Sequence, residues 1–449
     1  MSASSHRIVL LPGDGIGPEI VDACRPVLAA AFPTWEFTDA AIGWGCWRTA
    51  GDPIPAETWR ALESADAAIM AAITSKPARE AEAELADHLR GTGLTYRSPV
   101  LQLRRRLDLY ANIRPVEDLL AGAGSPASSL DDGPAPTPSP RFGFTVVREN
   151  TEGLYSHDLS MAGAEVDGLW DVVKQDPTVT HSTRADTAVA LRVTTGFGWR
   201  RLLRTAASLT GRAADPSLRR VTIADKPNIL RESGAIIRDA VDEVAAEFPD
   251  VDFEIANADA VTMRLITSPM SFDVIAAENL LGDILSDLGA GLMGGLGLPS
   301  AANMGDGHAV FEPVHGSAPD IAGRGIADPA AFLMSAAMCA EHLAAGDEGT
   351  GASTGDNGAV PDTAGTGGNQ ADTGGSSAAT GSDLRERASL LRRAVIGVLR
   401  DDPTPDLGGD NTTAGFAAEV ARWLASESKR PANRKPTPNE LTHPLQRVG

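Results

Sequence analysis

The stretch FDVIAAENLLGDILSDLGAGLM (272–293) decides the fold class. Phe272–Ala276 is a short apolar run and reads as a buried strand. Leu280–Met293 follows with apolar residues at helical spacing, so a strand passes directly into a helix. Asp283 and Asp287 lie four apart in that helix and share one face. Like charges at this spacing weaken a helix unless a cation lies between them, and oxygen-only ligands of this kind match Mg2+ or Mn2+. Ordinary solvent-facing acids are the alternative. The apolar neighbours Ile284, Leu285 and Leu288 argue for a partly buried face.

The same alternation extends in both directions. Ile8–Leu11 reads as a strand and Pro18–Phe32 as a helix with proline in its first turn. Ala67–Ile73, Phe144–Val147, Val221–Ala224 and Val251–Ile255 read as strands; Glu232–Phe248 and Ala258–Ile266 read as helices. A helix is expected over Ala330–Leu343 and another from Asp383 to about Leu399, opened by a capping-box spacing to Glu386. Strands alternating with helices specify an α/β protein with a largely parallel sheet.

Composition narrows the function. Of 449 residues, 60 are acidic and 39 basic, and the net charge of −21 disfavours a general nucleic-acid-binding role. Three cysteines (Cys24, Cys46, Cys339) form neither a disulfide framework nor a metal-ligand spacing, which places the chain in a reducing cytoplasm. No segment approaches the ~20 apolar residues of a membrane span. Lysine is scarce: Lys76, Lys174, Lys226, Lys429 and Lys435 are all there are. Residues 346–382 are mostly Gly, Ala, Ser, Thr, Asp and Asn, with Val360 the only large aliphatic side chain, and are expected to be a disordered insertion. Ala121–Pro140 is a shorter Pro-rich stretch, and the last residues form a basic, irregular tail.

Several constellations carry chemistry. The Gly-rich turn of LPGDGIGPEI (11–20) is either a phosphate cradle or a tight strand-to-helix turn, and it matches neither G-x-G-x-x-G nor a P-loop. Arg104, Arg114 and Arg148 are candidate bidentate clamps for carboxylates, against the alternative of solvated charges. Lys226 follows the strand Val221–Ala224 and is a candidate proton-transfer group, or a surface lysine. Tyr155 is a candidate proton donor, or a packed aromatic. Glu312 through Asp320, with His315 beside Gly316 and Ser317, matches adenine and ribose contact; an acid near the ribose favours NAD over NADP.

The order of these motifs resembles the isocitrate/isopropylmalate dehydrogenase family of β-decarboxylating dehydrogenases, nearest to its 3-isopropylmalate and homoisocitrate types. The stretches that carry it are LPGDGIGPEI (11–20), LRRRLDLYANIRPV (103–116), VVRENTEGLYS (146–156) and ADKPNIL (224–230). FDVIAAENLLGDILSDLGAGLMGGLGLPSAANMGD (272–306), FEPVHGSAPDIAG (311–323) and TPDLGGDNTT (404–413) complete it. The resemblance implies a non-Rossmann fold in which two α/β domains share a mixed, largely parallel sheet. Residues 1–109, 294–343 and 384–428 would form the large cofactor domain, and 110–293 the small domain for substrate, metal and dimer contacts. Residues 344–383 would be the insertion and 429–449 the flexible tail.

The resemblance also implies roles. Arg104, Arg114 and Arg148 would hold the malate carboxylates, and Asp259, Asp283 and Asp287 the metal. Lys226 and Tyr155 would be the catalytic pair. Lys226 and Asp259 would complete the neighbour's site in a homodimer with shared active sites. Glu312, His315, Gly316, Ser317, Ala318, Asp320 and Asp328 would contact NAD. Ser98, Val100 and Leu101 occupy the specificity segment; Ser98 matches the isocitrate enzymes, whereas Val100 stands where they carry asparagine. Apolar Val100 and Leu101 favour 3-isopropylmalate, and with it leucine biosynthesis. Tyr96 and Arg97 leave open a distal carboxylate, as in isocitrate or homoisocitrate, and tartrate or malate remain alternatives. A non-catalytic regulatory subunit of an isocitrate dehydrogenase is disfavoured, because the tyrosine, lysine and all three aspartates are present.

Overall fold

In the computed structural model, which describes residues 5–119, 142–161, 166–212, 215–295, 297–350 and 375–427, strands and helices alternate along most of the chain. β1 (His6–Gly13) leads into α1 (Gly17–Ala31), followed by β2 (Trp35–Asp39), α2 (Trp44–Ala50), α3 (Ala56–Ser64), β3 (Ala67–Ala72), α4 (Ala78–Ala83) and α5 (Pro99–Arg106). Next come β4 (Ala111–Glu117), β5 (Gly143–Glu149), β6 (Gly153–Ser160), α6 (Asp167–Val173), β7 (Ala188–Val193) and α7 (Gly196–Ser208). β8 (Arg220–Asp225), α8 (Arg231–Glu247), β9 (Asp252–Asn257), α9 (Ala258–Thr267), β10 (Val274–Ala277) and α10 (Asn279–Met293) continue the alternation. The chain ends with β11 (Ser300–Met304), β12 (Ala309–Pro313), α11 (Ala330–Thr350), α12 (Gly375–Asp401) and α13 (Thr413–Glu427).

The described residues fall into two α/β units with a mixed, largely parallel sheet. The first unit is drawn from Met1–Leu103, Gly295–Ala302 and Gly307–Thr437, the second from Arg104–Gly294 and Asn303–Asp306. In the first, the strand order is β2-β1-β3-β12-β11, with β1, β2, β3 and β12 paired in parallel. β3 reads AAIMAA and is buried at every position, the pattern of a parallel strand covered on both faces.

In the second unit the order is β4-β5-β10-β8-β9. β5, β10, β8 and β9 run parallel, while β4 pairs antiparallel with β5, Arg114 opposite Val146 and Asn112 opposite Arg148. Trp199, Leu202 and Leu203 of α7 and Ile237 and Val244 of α8 pack on Val147, Val221, Ile223 and Val274. Each such side chain contributes roughly 1.5–3 kcal/mol on leaving water.

Three differences from the sequence reading have physical causes. β6 and β7 form a separate antiparallel pair whose sequences, GLYSHDLS and AVALRV, are too polar or too exposed to stand out as core strands. The helix expected to open at Asp383 begins at Gly375, so Asp383 does not cap it; its carboxylate instead accepts from Arg387 one turn on, at 2.7 Å. Residues 344–350 and 375–383, expected within the insertion, belong to α11 and α12, which pack on each other. The rest of that insertion, the Pro-rich stretch and the tail lie outside the described residues.

The Gly-rich turn resolves as a tight strand-to-helix turn. Its amides are used internally: Asp14 N donates to Ala72 O at 2.8 Å, Ile16 N to Ser317 O at 2.9 Å and Gly17 N to Asp14 O at 2.9 Å. Gly15 has φ of +56°, and a Cβ there would lie 1.9 Å from Ser317 O. The Asp14 carboxylate accepts from Trp44 N at 2.8 Å, Thr74 N at 3.0 Å and Gly45 N at 3.1 Å, joining the turn to α2 and the end of β3. Asp14→Ala leaves these amides without their acceptor and should cost roughly 2–4 kcal/mol. A lower midpoint in urea unfolding is the expected result; an unchanged midpoint would remove Asp14 from this role.

Candidate active site

In the second unit, two arginines converge on α10 and a third joins them through asparagines. Arg104 ends α5, Arg114 lies on β4 and Arg148 on β5, and all three are buried. α10 crosses these strands closely because of its glycines. A Cβ at Gly282 would come within 2.7 Å of the Arg148 side chain, and one at Gly289 within 2.7 Å of Val116. Glycine inside a helix costs roughly 1 kcal/mol against alanine, and here it makes room for a buried guanidinium.

The polar contacts are dense. Arg148 Nη1 donates to Asp283 Oδ1, and its Nε and Nη2 donate to Asn279 Oδ1 at 3.1 and 2.8 Å. Arg114 Nη1 donates to Asp287 Oδ1 at 3.1 Å and Ser286 Oγ at 2.7 Å; its Nη2 reaches Asp283 Oδ1 at 3.5 Å. Arg114 Nε donates to Asn112 Oδ1 at 2.7 Å, and Arg104 Nε to Asn303 Oδ1 at 3.3 Å. Tyr155 Oη donates to Asp283 Oδ2 at 3.2 Å, and the Arg148 guanidinium lies 5.7 Å from the Tyr155 ring centre. The structure therefore brings together Arg114, Arg148, Tyr155, Asp283 and Asp287, with Arg104 joined through asparagines.

Electrostatics follow from burial. Desolvation, with the positive charges of Arg104 and Arg114, pulls Arg148 down to about 9, against the pull of Asp283. Burial and then Asp283 push Tyr155 above the ordinary phenol range. Burial pushes Glu149, next to Arg148, up to about 7. Glu149 Oε2 accepts from Thr151 N and Glu152 N at 2.8 and 2.6 Å, and Oε1 from Thr151 Oγ1 at 2.6 Å, so this carboxyl shapes the turn leading to Tyr155.

Lys226 and Asp259 form a pair of their own. Lys226 Nζ lies 2.6 Å from Asp259 Oδ1, the carboxylate is 70% exposed, and the lysine holds it below its ordinary range. Asp259 does not join Asp283 and Asp287: among the described residues no three acidic, His or Cys side chains gather around one point. Exposed apolar side chains include Ile229 in the turn before α8, Met263 and Ile266 of α9, which also carries Asp259, and Ile284 of α10.

The specificity and cofactor candidates lie in the first unit, except Arg104. Ser98 Oγ accepts from Ser75 Oγ at 3.4 Å, and Val100 and Leu101 are half-buried in α5. Tyr96 is held in place: its ring lies against Trp44 and Trp47, 5.0 and 5.4 Å between centres, and its hydroxyl donates to Thr74 O at 3.0 Å. Arg97 is exposed. Ser317 Oγ bonds Thr74 Oγ1 at 2.6 Å, and Ala318 takes a left-handed φ of +37°. His315 Nδ1 donates to Gly316 O at 3.0 Å, burial favours its neutral form, and its buried Nε2 has no partner among the described residues. Glu312 is half-buried, and Gly316 and Asp320 are exposed. Asp328 is buried: Oδ1 accepts from Ala330 N and Oδ2 from Thr404 Oγ1, both at 2.8 Å, so its carboxylate caps α11. Burial raises it to about 6.

Sequence reasoning missed Asn112, Asn279, Asn303 and Ser286, which align the arginines. Each lies within a quoted motif, but a neutral amide leaves no charge pattern and no metal-ligand spacing to follow.

With this geometry in hand, known proteins give it a context. A family profile described as isocitrate/isopropylmalate dehydrogenase matches residues 7–420. The chain is 37% identical to Protein DlpA of Legionella pneumophila, over 98% of this chain and 62% of DlpA, so it spans less than two thirds of that relative's length. It is 36% identical to the isocitrate/homoisocitrate dehydrogenase of Thermus thermophilus, over 94% of this chain and 99% of that one. Among solved structures, the isocitrate dehydrogenase of Methylococcus capsulatus superposes with a TM-score of 0.69 at 30% identity, covering 93% of this chain and 99% of that chain.

Glu149 supplies a test of the site's electrostatics. Its folded value of about 7 lies above the ordinary 4.5, so the folded chain keeps a proton that the unfolded chain releases between these values. This contribution is full below the lower value and is lost as pH rises through the upper one, a change of roughly 3 kcal/mol at most. Glu149→Gln preserves the neutral form, and its stability should fall less than wild type between about pH 5 and 8. Parallel curves would show that Glu149 does not titrate in this way.

Proposed function

Because the chain belongs to the isocitrate/isopropylmalate dehydrogenase family, whose members are decarboxylating dehydrogenases, we propose that it oxidises and decarboxylates a 3-substituted malate with NAD and Mg2+ or Mn2+. One observation carries the reading: buried Arg114 and Arg148 converge with Tyr155 on the two carboxylates of α10, and buried Arg104 joins them through asparagines. Buried guanidinium groups are an arrangement for carboxylate anions.

The residues fit both groups. Asp283 and Asp287 offer oxygen donors one helical turn apart, and Mg2+ typically takes one or two carboxylates and fills its shell with substrate and water. The buried, unpartnered His315 Nε2 beside the exposed Gly316 and Asp320 fits the adenosine half of NAD. When bound, the cation would supply Lewis-acid polarisation of the substrate oxygens and the nicotinamide would supply a hydride acceptor.

The chain's own residues handle binding and protons. Arg104, Arg114 and Arg148 hold the malate carboxylates and fix their orientation, which carries a large share of the rate. Lys226 Nζ takes the hydroxyl proton. Tyr155 Oη donates a proton to the carbon from which CO2 has left. The separation of Lys226 and Asp259 into their own exposed pair, among exposed apolar side chains, supports a homodimer in which this pair completes the partner's site. Such an enzyme would work in the cytoplasm.

Val100 and Leu101 support 3-isopropylmalate as substrate, and so a role in leucine biosynthesis. The tethering of Tyr96 removes one candidate for a distal carboxylate. Isocitrate or homoisocitrate is the second reading, favoured by exposed Arg97, by Ser98 and by the name of the Thermus relative.

The deciding assay is reduced-cofactor formation, with NAD and with NADP, from 3-isopropylmalate, isocitrate, homoisocitrate, tartrate and malate side by side. The largest kcat/KM is expected with 3-isopropylmalate and NAD. An isocitrate preference beyond about tenfold, or 1.4 kcal/mol in transition-state binding, would overturn the apolar-pocket argument. Lys226→Met should lower kcat by about a hundredfold or more while preserving the oligomer. Near-wild-type turnover would remove Lys226 from catalysis.

A further inference from the structure

Asn303 Oδ1 is the meeting point of the arginine network. It accepts from Asn112 Nδ2 at 2.8 Å, Asn150 Nδ2 at 2.9 Å and Arg104 Nε at 3.3 Å. Asn303, Asn112 and Asn150 are all buried. Through Asn112, whose Oδ1 takes Arg114 Nε, the same amide reaches a second arginine. Asn150 lies two residues after the third, Arg148, in the chain.

An amide in this place differs physically from a carboxylate. Its oxygen orients N–H donors by dipole and adds no net charge. Arg114 and Arg148 already face Asp283 and Asp287, and a further buried anion at Arg104 would cancel positive charge that an incoming carboxylate uses. Buried charges interact through a low local dielectric, so one added carboxylate beside Arg104 outweighs any exposed acid.

We propose that Asn303 is a positioning residue that sets Arg104 and, through Asn112, Arg114 for substrate carboxylates, and that its neutrality keeps the cradle cationic. The inference rests on the reading of the three arginines as carboxylate-binding. It adds a residue that acts through others and touches no substrate itself.

The test separates orientation from charge. Asn303→Asp retains acceptor oxygens and size but introduces an anion. Asn303→Ser retains a neutral acceptor. Binding of malate, the core shared by the candidate substrates, is measured by calorimetry with the full chain and Mg2+, alongside thermal unfolding without ligand. Asn303→Asp should weaken malate binding by about tenfold or more without lowering the unfolding temperature, because the new anion relieves repulsion among the arginines. Asn303→Ser should stay within about threefold of wild type, less than 1 kcal/mol. In turnover, the aspartate variant should raise KM for the acid far more than it lowers kcat, with KM for NAD unchanged.

Equal losses in the two variants, or malate binding by Asn303→Asp within about threefold of wild type, would overturn the proposal. If Asn303→Asp does not fold, Asn112→Asp makes the same comparison at Arg114, with Asn112→Ser as its neutral control. If wild type binds malate but turns over none of the five acids, the dehydrogenase reading fails and the charge comparison still stands. If wild type binds no malate, the inference about Asn303 falls with the carboxylate-cradle reading.

Discussion

Three guanidinium groups are buried in the second unit, two of them against one helix and the third tied to them through asparagines, and the polar contacts around them hold them there. Isolated buried charges are expensive, and three of one sign repel one another. The chain offsets this with Asp283 and Asp287 on α10 and with amide and hydroxyl oxygens that satisfy the remaining N–H groups. On the proposed reading, the residual attraction for anions is what the cradle would offer a substrate. Arginine rather than lysine is the suitable cation, because its planar fork satisfies several acceptors at fixed angles and stays charged when buried.

α10 does most of this work because of what it lacks as much as what it carries. Gly282 leaves space for Arg148, Gly289 accepts Val116, and the acids stand one turn apart on the remaining face. The short strand β10 is buried throughout and fixes where the helix begins. Glu278 then accepts from Leu281 N at the helix start, and its second oxygen accepts from Leu154 N beside Tyr155. One strand-to-helix unit thus sets the acids, the arginine packing and the tyrosine approach together.

That concentration explains what could be read in advance. Parallel strands such as β3 and β8 announce themselves as apolar runs, and α8, α9 and α10 by helical spacing, because each buries a continuous surface. β6 and β7 bury little and pair only with each other, so their sequences carry no comparable period. The charged members of the site were legible because an arginine or aspartate amid apolar residues needs a reason. Asn303, Asn112 and Asn279 were not, since an asparagine is equally at home in a turn, a cap or a loop. Asp383 shows the converse: a spacing that fits a helix start is also satisfied by an acid that pairs with Arg387 inside a longer helix. The Gly-rich turn shows it again, because close approach of Ser317 demands the same glycine that a phosphate would.

The overall charge of −21 and a site built to bind anions are compatible only because the two act over different distances. Exposed acids such as Asp171, Asp176 and Asp215 are solvated and engaged with nearby lysine, threonine or serine groups, and their field is screened within about 8–10 Å at physiological salt. The arginines lie in a region from which water is largely excluded, where attraction for a carboxylate is several times stronger than at the surface. On the proposed reading, a multiply charged acid would be repelled weakly at long range and held strongly at contact. It follows that added salt should relieve the first effect before it weakens the second, so association with this site is least favoured at low ionic strength, the reverse of a site steered by surface charge.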